Sequence, residues 1–245
     1  MPTYATAQNL GDRSHQCDAT AVFTADGTTA YALLDGIGST TTIQKWTRTA
    51  ARRLARAAAR HGNADTGLRA VYDQYAAEPD RSDPFSRGEL PCAAAVVAVT
   101  APGKPTTIAW CGDARAYAIT ADGQAIRLTQ DHNLRRVFGG SRNRLTSYLG
   151  DAFTDDECLN RYNHRTIETH TMLPTPVRLL LASDGAYEPY EDAGDDIAAH
   201  LAGHSLRAIA RRFADRAVAT SRAARPNSPY ADNATVLITD LERPR

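Results

Sequence analysis

Four aspartates stand at the ends of strongly apolar runs: Asp35 follows Tyr31–Leu34, Asp113 follows Ile108–Cys111, Asp184 follows Leu179–Ala182, and Asp232 precedes Ala234–Ile238. If those runs are strands of one layered structure, their ends gather carboxylates at a sheet edge. A single such dipeptide reads as a turn, because Asp and Gly both favour turn geometry; Asp26-Gly27 and Asp122-Gly123 are read that way. The other set is distinguished by its company. No His or Cys grouping lies near it and no H-E-x-x-H occurs, so ligation would be by oxygen alone, which suits Mg²⁺ or Mn²⁺ rather than Zn²⁺. The acids are also too dispersed for a calcium loop, whose ligands fall within about a dozen consecutive residues. Carboxylates brought together from four distant segments repel one another, so their meeting requires a neutralising cation.

The elements that must position these acids follow from the hydrophobic pattern. Ala19–Phe23 and Thr29–Leu34 flank Asp26-Gly27, a pair suited to the positive φ angles of a tight hairpin, and read as antiparallel strands. After Asp35-Gly36-Ile37-Gly38, a helix capped near Ser39 or Thr40 carries Ile43, Trp46, Ala50, Leu54 and Ala57 on one stripe; a second helix carries Leu68, Val71, Tyr72 and Tyr75. Ala93–Thr100, Thr107–Cys111, Ala116–Thr120 and Ala125–Leu128, punctuated by Pro102-Gly103 and Asp122-Gly123, predict a β-meander. Asp131–Thr166 shows no clear periodicity, and strands are expected near Ile167–Thr171 and Val177–Ala182. Two helical patterns lie between Asp195 and Arg222, the second with Leu206, Ile209, Ala210, Phe213 and Val218, before a last strand at Ala234–Thr239. Hairpin-linked strands interrupted by helix pairs indicate an α+β layered fold, with residues 1–245 as one domain.

Composition narrows the partners. Lys plus Arg and Asp plus Glu balance at 28 each, and the arginines are scattered through the helical patterns, so nucleic acid is not an expected partner. The N-terminal residues lack the basic and apolar segments of a signal peptide, and no apolar run approaches the roughly 18 residues of a membrane span, so a cytoplasmic location without membrane attachment is expected. Cys17, Cys92, Cys111 and Cys158 form no C-x-x-C pair and are expected to be reduced, with Cys92 and Cys111 as small buried hydrophobes.

Seven short segments, in order over nearly the whole chain, resemble the metal-dependent type 2C (PPM) protein serine/threonine phosphatases, in particular their bacterial-like members. Arg13-Ser14-His15-Gln16-Cys17-Asp18-Ala19 is similar to that family's R-x-x-N-E-D-A, Asp35-Gly36-Ile37-Gly38 to D-G-M-G, and Gly112-Asp113-Ala114-Arg115-Ala116-Tyr117 to G-D-S-R-x-Y. Leu128-Thr129-Gln130-Asp131-His132 is similar to L-T-x-D-H, and Leu149-Gly150-Asp151 to the end of S-R-A-L-G-D. Leu180-Leu181-Ala182-Ser183-Asp184-Gly185 resembles L-L-C-S-D-G, and Asp232-Asn233-Ala234-Thr235-Val236 resembles D-N-x-T-V.

The resemblance implies two antiparallel sheets sandwiched between helix pairs (α-β-β-α layers). It implies a site for two Mn²⁺ or Mg²⁺ ions at one end, with a third held more weakly. Asp35 would bridge the two ions, the Gly36 carbonyl would bind one, Asp184 and Asp232 would complete the other, and Asp18 would contribute directly or through water. Asp113 matches the ligand of the third. Arg13 matches the phosphate-binding arginine, whose planar fork grips two oxygens as a lysine would not. The implied reaction is hydrolysis of phosphoserine or phosphothreonine in proteins, the products of a Ser/Thr kinase, by a metal-activated bridging water without a phosphoenzyme; Asp35 and Asp184 are its central acids. His132 reads either as a structural histidine or as a proton donor to the site.

Three departures bear on these roles. Cys17 stands in the place of the family's glutamate, Pro91-Cys92-Ala93-Ala94 where many members have G-T-T or G-S-T, and Ser39 replaces the second glycine of D-G-M-G-G. Between His132 and Leu149 there is room for only a short flap. The alternatives to an active protein phosphatase are a weak or inactive pseudophosphatase that binds phosphoproteins, and a hydrolase of small phosphoesters.

Overall fold

The computed structural model describes residues 4–83, 86–172 and 178–241. Strands β2 (Ala19–Ala25), β3 (Thr28–Gly36), β4 (Ala93–Thr100), β5 (Thr106–Cys111) and β8 (Glu168–Met172) form one antiparallel sheet in that order. The facing sheet has the order β1 (Tyr4–Asn9), β10 (Ala234–Asp240), β9 (Arg178–Ala182), β6 (Arg115–Ile119) and β7 (Ala125–Arg127). The first carries helices α1 (Thr41–His61) and α2 (Ala64–Ala76) on its outer face. The second carries α5 (Asp184–Ala193) and α6 (Leu206–Ala223).

Three apolar layers hold the four structural layers together, and side-chain alternation along each strand assigns residues to them. On β4, Ala93, Ala95, Val97 and Val99 face the helices while Ala94, Val96 and Ala98 face the other sheet. On β9, Leu180 and Ala182 face helices while Leu179 and Leu181 face inward. Strands buried on both faces lose the polar half of the alternation, which is why these segments read as unbroken apolar runs.

The hairpin at Asp26-Gly27 is a two-residue turn with both φ angles positive (48° and 75°), closing the Ala25–Thr28 pair. The expected β-meander is not one sheet: β4 and β5 lie in the first sheet, β6 and β7 in the second. The chain crosses between them at Gly112, whose φ of +97° and whose approach to Ala94, where an added Cβ would stand 2.5 Å from that residue's own Cβ, admit only glycine. Residues 131–166 are more ordered than their pattern indicated. They contain α3 (Leu134–Phe138) and α4 (Asp155–Tyr162), the latter opened by a Thr154/Glu157 capping box. The first of the two helices expected between Asp195 and Arg222 lies earlier, as α5, leaving only a short 3₁₀ turn at Ile197–His200 before α6. Val177, assigned to a strand above, falls outside the described residues.

Candidate metal centre

Antiparallel pairing brings the acidic ends together. β3 ends at Asp35-Gly36 beside the start of β2, where Ala19 pairs with Leu34 and Asp18 precedes it. β9 ends at Ala182, opposite Val236 of β10, so Asp184 and Asp232 flank the same rim of the second sheet. Asp113 sits on the crossover between β5 and β6. Arg13, Asp18, Asp35, Gly36, Asp113, Asp184 and Asp232 all line one cleft of about 680 Å³. Gly36 has no room for a side chain, since a Cβ would stand 2.4 Å from the Cys17 carbonyl oxygen.

The electrostatics of this cleft are those of crowded, desolvated acids. Burial, and then the charges of Asp184, Asp18 and Asp113, push Asp35 well above the ordinary carboxylate range. Asp113 is raised in the same direction by burial and by Asp184, and Asp184 by burial and by Asp232. Asp18 is pushed up to about 7 by burial against the restraining hydroxyls of Thr235 and Ser183. Its Oδ2 is buried with no hydrogen-bond partner.

The acids spread over the walls of the cleft: among the described residues no three His, Cys, Asp or Glu side chains are drawn tightly enough to grip an ion as they stand. Local bonds account for this. Asp232 is turned onto Arg13, whose Nε donates at 2.6 Å to Oδ1 while Nη2 donates to Oδ2. Asp184 accepts from the Gly185 N–H at 2.5 Å, and its own N–H donates to Asp35 Oδ2 at 3.4 Å. An orphaned buried carboxylate oxygen in a set of mutually repelling oxygen donors is the chemistry that a hard divalent cation satisfies, so the residues present fit such an ion.

The other motifs brace the site. Arg115 is buried and bidentate to Asp131 at 2.8 and 2.7 Å, reaches Glu191 at 2.5 Å and stacks its guanidinium over Tyr187 at 3.8 Å. Tyr187 in turn donates to the Asp113 carbonyl at 3.0 Å, fixing the crossover. His132 is fully buried outside the cleft lining, bonded to Glu168 at 3.1 Å and stacked on His164 at 4.3 Å; its placement is structural. Leu149 bridges to Ala93 at the start of β4, and the Gly150 carbonyl accepts from buried Arg81 at 2.8 Å. Cys17 is buried, with its Sγ 3.7 Å from the Thr40 carbonyl and its thiol pKa raised by burial, so it offers the cleft no thiolate. Cys92, expected in the core, is half-buried and lines the cleft, with its thiol pushed up to about 11 by burial.

Sequence reasoning missed Glu188, one turn after Asp184 on α5. Glu188 lines the cleft, is pushed up to about 7 by burial and by Asp184, and pairs with Arg142 at 3.1 Å. The i, i+4 spacing from Asp184 would have found it had the helix been placed correctly. Arg142 also grips Asp192 at 2.8 and 2.7 Å, tying the short 139–148 connection to α5 across the cleft mouth.

No protein-family model matches the sequence, and a search of curated proteins finds no match. Solved structures do match. A bacterial serine phosphatase superposes with a TM-score of 0.71 at 17% identity, covering 99% of this chain and 98% of that one. The PPM Ser-Thr phosphatase MsPP from Mycobacterium smegmatis, in complex with cacodylate, gives 0.70 at 24% identity, covering 98% of each chain. The serine/threonine phosphatase Stp1 from Staphylococcus aureus gives 0.70 at 17% identity, covering 99% of this chain and 96% of that one. Over nearly its whole length, the chain therefore has the fold of the bacterial PPM-type serine/threonine phosphatases.

Proposed function

We propose that the chain is a metal-dependent protein serine/threonine phosphatase whose metal ligands are Asp18, Asp35, the Gly36 carbonyl, Asp184 and Asp232, with Asp113 and Glu188 serving a further ion. The observation that carries this reading is the convergence of five aspartates from both sheets on one cleft, with Asp18 Oδ2 buried and unbonded. Bound there, Mn²⁺ or Mg²⁺ would supply an acidified water as nucleophile and offset the charge of the phosphate.

The chain's own groups set the remaining terms. Asp35 is held by the Asp184 N–H, which orients the two central acids relative to each other. The Arg13 fork is the group shaped for two phosphate oxygens, and phosphate binding requires it to turn from Asp232, its present partner. The cleft thiol, Cys92, is held neutral by burial and is a poor nucleophile, which favours direct attack by water over a covalent phosphoenzyme. The likeness to Ser/Thr phosphatase structures supports phosphoproteins, the products of a Ser/Thr kinase, as substrates.

A second reading, a phosphoprotein-binding pseudophosphatase, draws on the thiol at position 17 and on the engagement of Asp232 by Arg13. Hydrolysis of p-nitrophenyl phosphate and of a phosphothreonine peptide in Mn²⁺, Mg²⁺ or EDTA, with Asp184→Asn alongside, separates the two. Metal-dependent turnover that vanishes in Asp184→Asn establishes the phosphatase. A folded protein inactive with both ions refutes it.

A further inference from the structure

We infer that the solvent face of α1 is a docking surface for an acidic polypeptide segment. That the segment belongs to a phosphoprotein substrate rests on the phosphatase reading; the binding itself does not. Helix α1 carries Lys45, Arg48, Arg52, Arg53, Arg56 and Arg60 and no acidic residue from Thr41 to His61. Lys45, Arg48, Arg52, Arg56 and Arg60 are all exposed and recur every three or four residues, so they form one ridge about 22 Å long at 1.5 Å per residue.

The other arginine-rich helix shows what α1 lacks. On α6, Arg211 pairs with Asp215, Arg216 with Asp195 and Arg222 with Asp12, each at 2.9 Å, and Arg212 donates to the His200 and Ala202 carbonyls. Among the described residues no cation of α1 meets a carboxylate. Arg53 and Arg56 lie over the rings of Tyr75 and Phe23, at 5.6 and 5.5 Å, and Arg53 also donates to the Tyr75 hydroxyl at 3.4 Å. Like charges at i, i+4 repel and weaken a helix, and Lys45 near its N-terminus opposes the dipole; Arg56 over Phe23 and Arg60 in the last turn aside, the ridge stabilises nothing in the fold.

Geometry selects the occupant. Same-face side chains of an extended polypeptide repeat at about 6.8 Å, close to the ~6 Å between i, i+4 cations on a helix, so an acidic strand meets the ridge in register. Four of the five ridge cations are arginines, whose forks suit carboxylates. α1 presents no exposed large apolar side chain for a lipid surface to take up. The chain is neutral overall and the ridge, with Arg53 beside it, is confined to one helix, unlike the broad basic face that duplex nucleic acid requires. The helix begins at Thr41, just beyond Gly36, Ile37 and Gly38, which line the cleft, and Ser39 and Thr40, so a segment docked along it leads into the catalytic mouth.

The test is fluorescence anisotropy with three probes: fluorescein-labelled octaglutamate, a single-stranded oligonucleotide of about 20 bases, and phosphatidylserine vesicles. Octaglutamate should bind, and Arg48→Glu/Arg52→Glu/Arg56→Glu should weaken it about tenfold or more. Arg48→Lys/Arg52→Lys/Arg56→Lys, which keeps the charge but not the forks, should weaken binding less than the reversal does, and Arg207→Glu on α6 should have no effect. Circular dichroism melts check that each variant is folded. Turnover of p-nitrophenyl phosphate should be unchanged by the triple reversal, while a phosphopeptide with an octaglutamate tail should show a raised KM at constant kcat. Absence of octaglutamate binding, or binding indifferent to the reversal, overturns the proposal. So does reversal-sensitive binding of the oligonucleotide or vesicles about tenfold tighter than that of octaglutamate. An inactive protein that still loses octaglutamate in the reversed variant keeps the docking surface and refutes only the phosphatase reading.

Discussion

Replacing Asp18 by Asn should stabilise the metal-free protein while weakening its response to metal. The Asp18 carboxyl lies at about 7 instead of 3.8, which at about 1.4 kcal/mol per pH unit amounts to roughly 4 kcal/mol. Because the folded-state value is the higher one, the native protein binds the extra proton between those limits. Metal-free stability is then present below pH 3.8, falls as pH rises, and is lowest above about 7. Asn abolishes the charge but leaves a buried amide short of a partner, at a cost of about 1–3 kcal/mol, so the net gain should be about 1–3 kcal/mol. That corresponds to a Tm increase of about 2–12 °C for a chain of this size. Thermal and urea melts at pH 8 in EDTA measure it, and repetition in Mn²⁺ gives the metal increment. Wild type should gain more from Mn²⁺ than Asp18→Asn does. An Asp18→Asn protein that melts below wild type in EDTA and gains equally from Mn²⁺ would refute the view of Asp18 as a destabilised ligand.

Three other outcomes follow from the scaffold. Gly112→Ala should cost about 2–4 kcal/mol in urea denaturation, from positive φ and the collision with Ala94; Gly103→Ala, at φ +69° with nothing within 4 Å, should cost about 1 kcal/mol. Arg115→Met strands Asp131 and should destabilise by about 3–5 kcal/mol, with Arg115→Lys only partly restoring the two-pronged bond. Burial holds His132 neutral, down to about 4, so the unfolded chain takes up the proton first and stability should fall by on the order of 3 kcal/mol as pH drops from 6.5 to 4. The His132→Gln variant should show a flatter profile across that window. Glu168, held near 2 against burial by Arg136 and His132, adds its own loss only below pH 4.5.

Strands that are apolar on both faces, such as β4 and β9, were legible because short apolar runs bounded by turn residues read as buried strands, and their acidic ends marked the site. The split of the expected meander was not, because hairpin-length spacing is the same whether the next strand joins its neighbour or crosses to the facing sheet. Only Gly112 hinted at the break, and a glycine before an aspartate reads first as a turn. β1 escaped because it is an edge strand, Tyr4-Ala5-Thr6-Ala7-Gln8-Asn9, with no large aliphatic side chain and half of its residues exposed. The start of α4 was spelled out by Thr154 and Glu157 but lay in a stretch without apolar rhythm. Pro189 inside α5 disguised the helix that begins at Asp184, and with it Glu188.

The middle apolar layer carries a different burden from the two outer ones. Asp18 and Asp35 stand at strand ends of one sheet, Asp184 and Asp232 at strand ends of the other, and Leu33, Ile108, Leu181 and Leu237 between the sheets set the gap. That layer works as a caliper: its thickness determines how far apart the two halves of the acidic set stand, though none of its side chains is among them. Substitutions beneath α1 and α2 act chiefly on stability, whereas a methylene gained or lost between the sheets retunes ion spacing. Suppressors of a damaged ligand should accordingly arise in this layer, far in sequence from the residue they rescue.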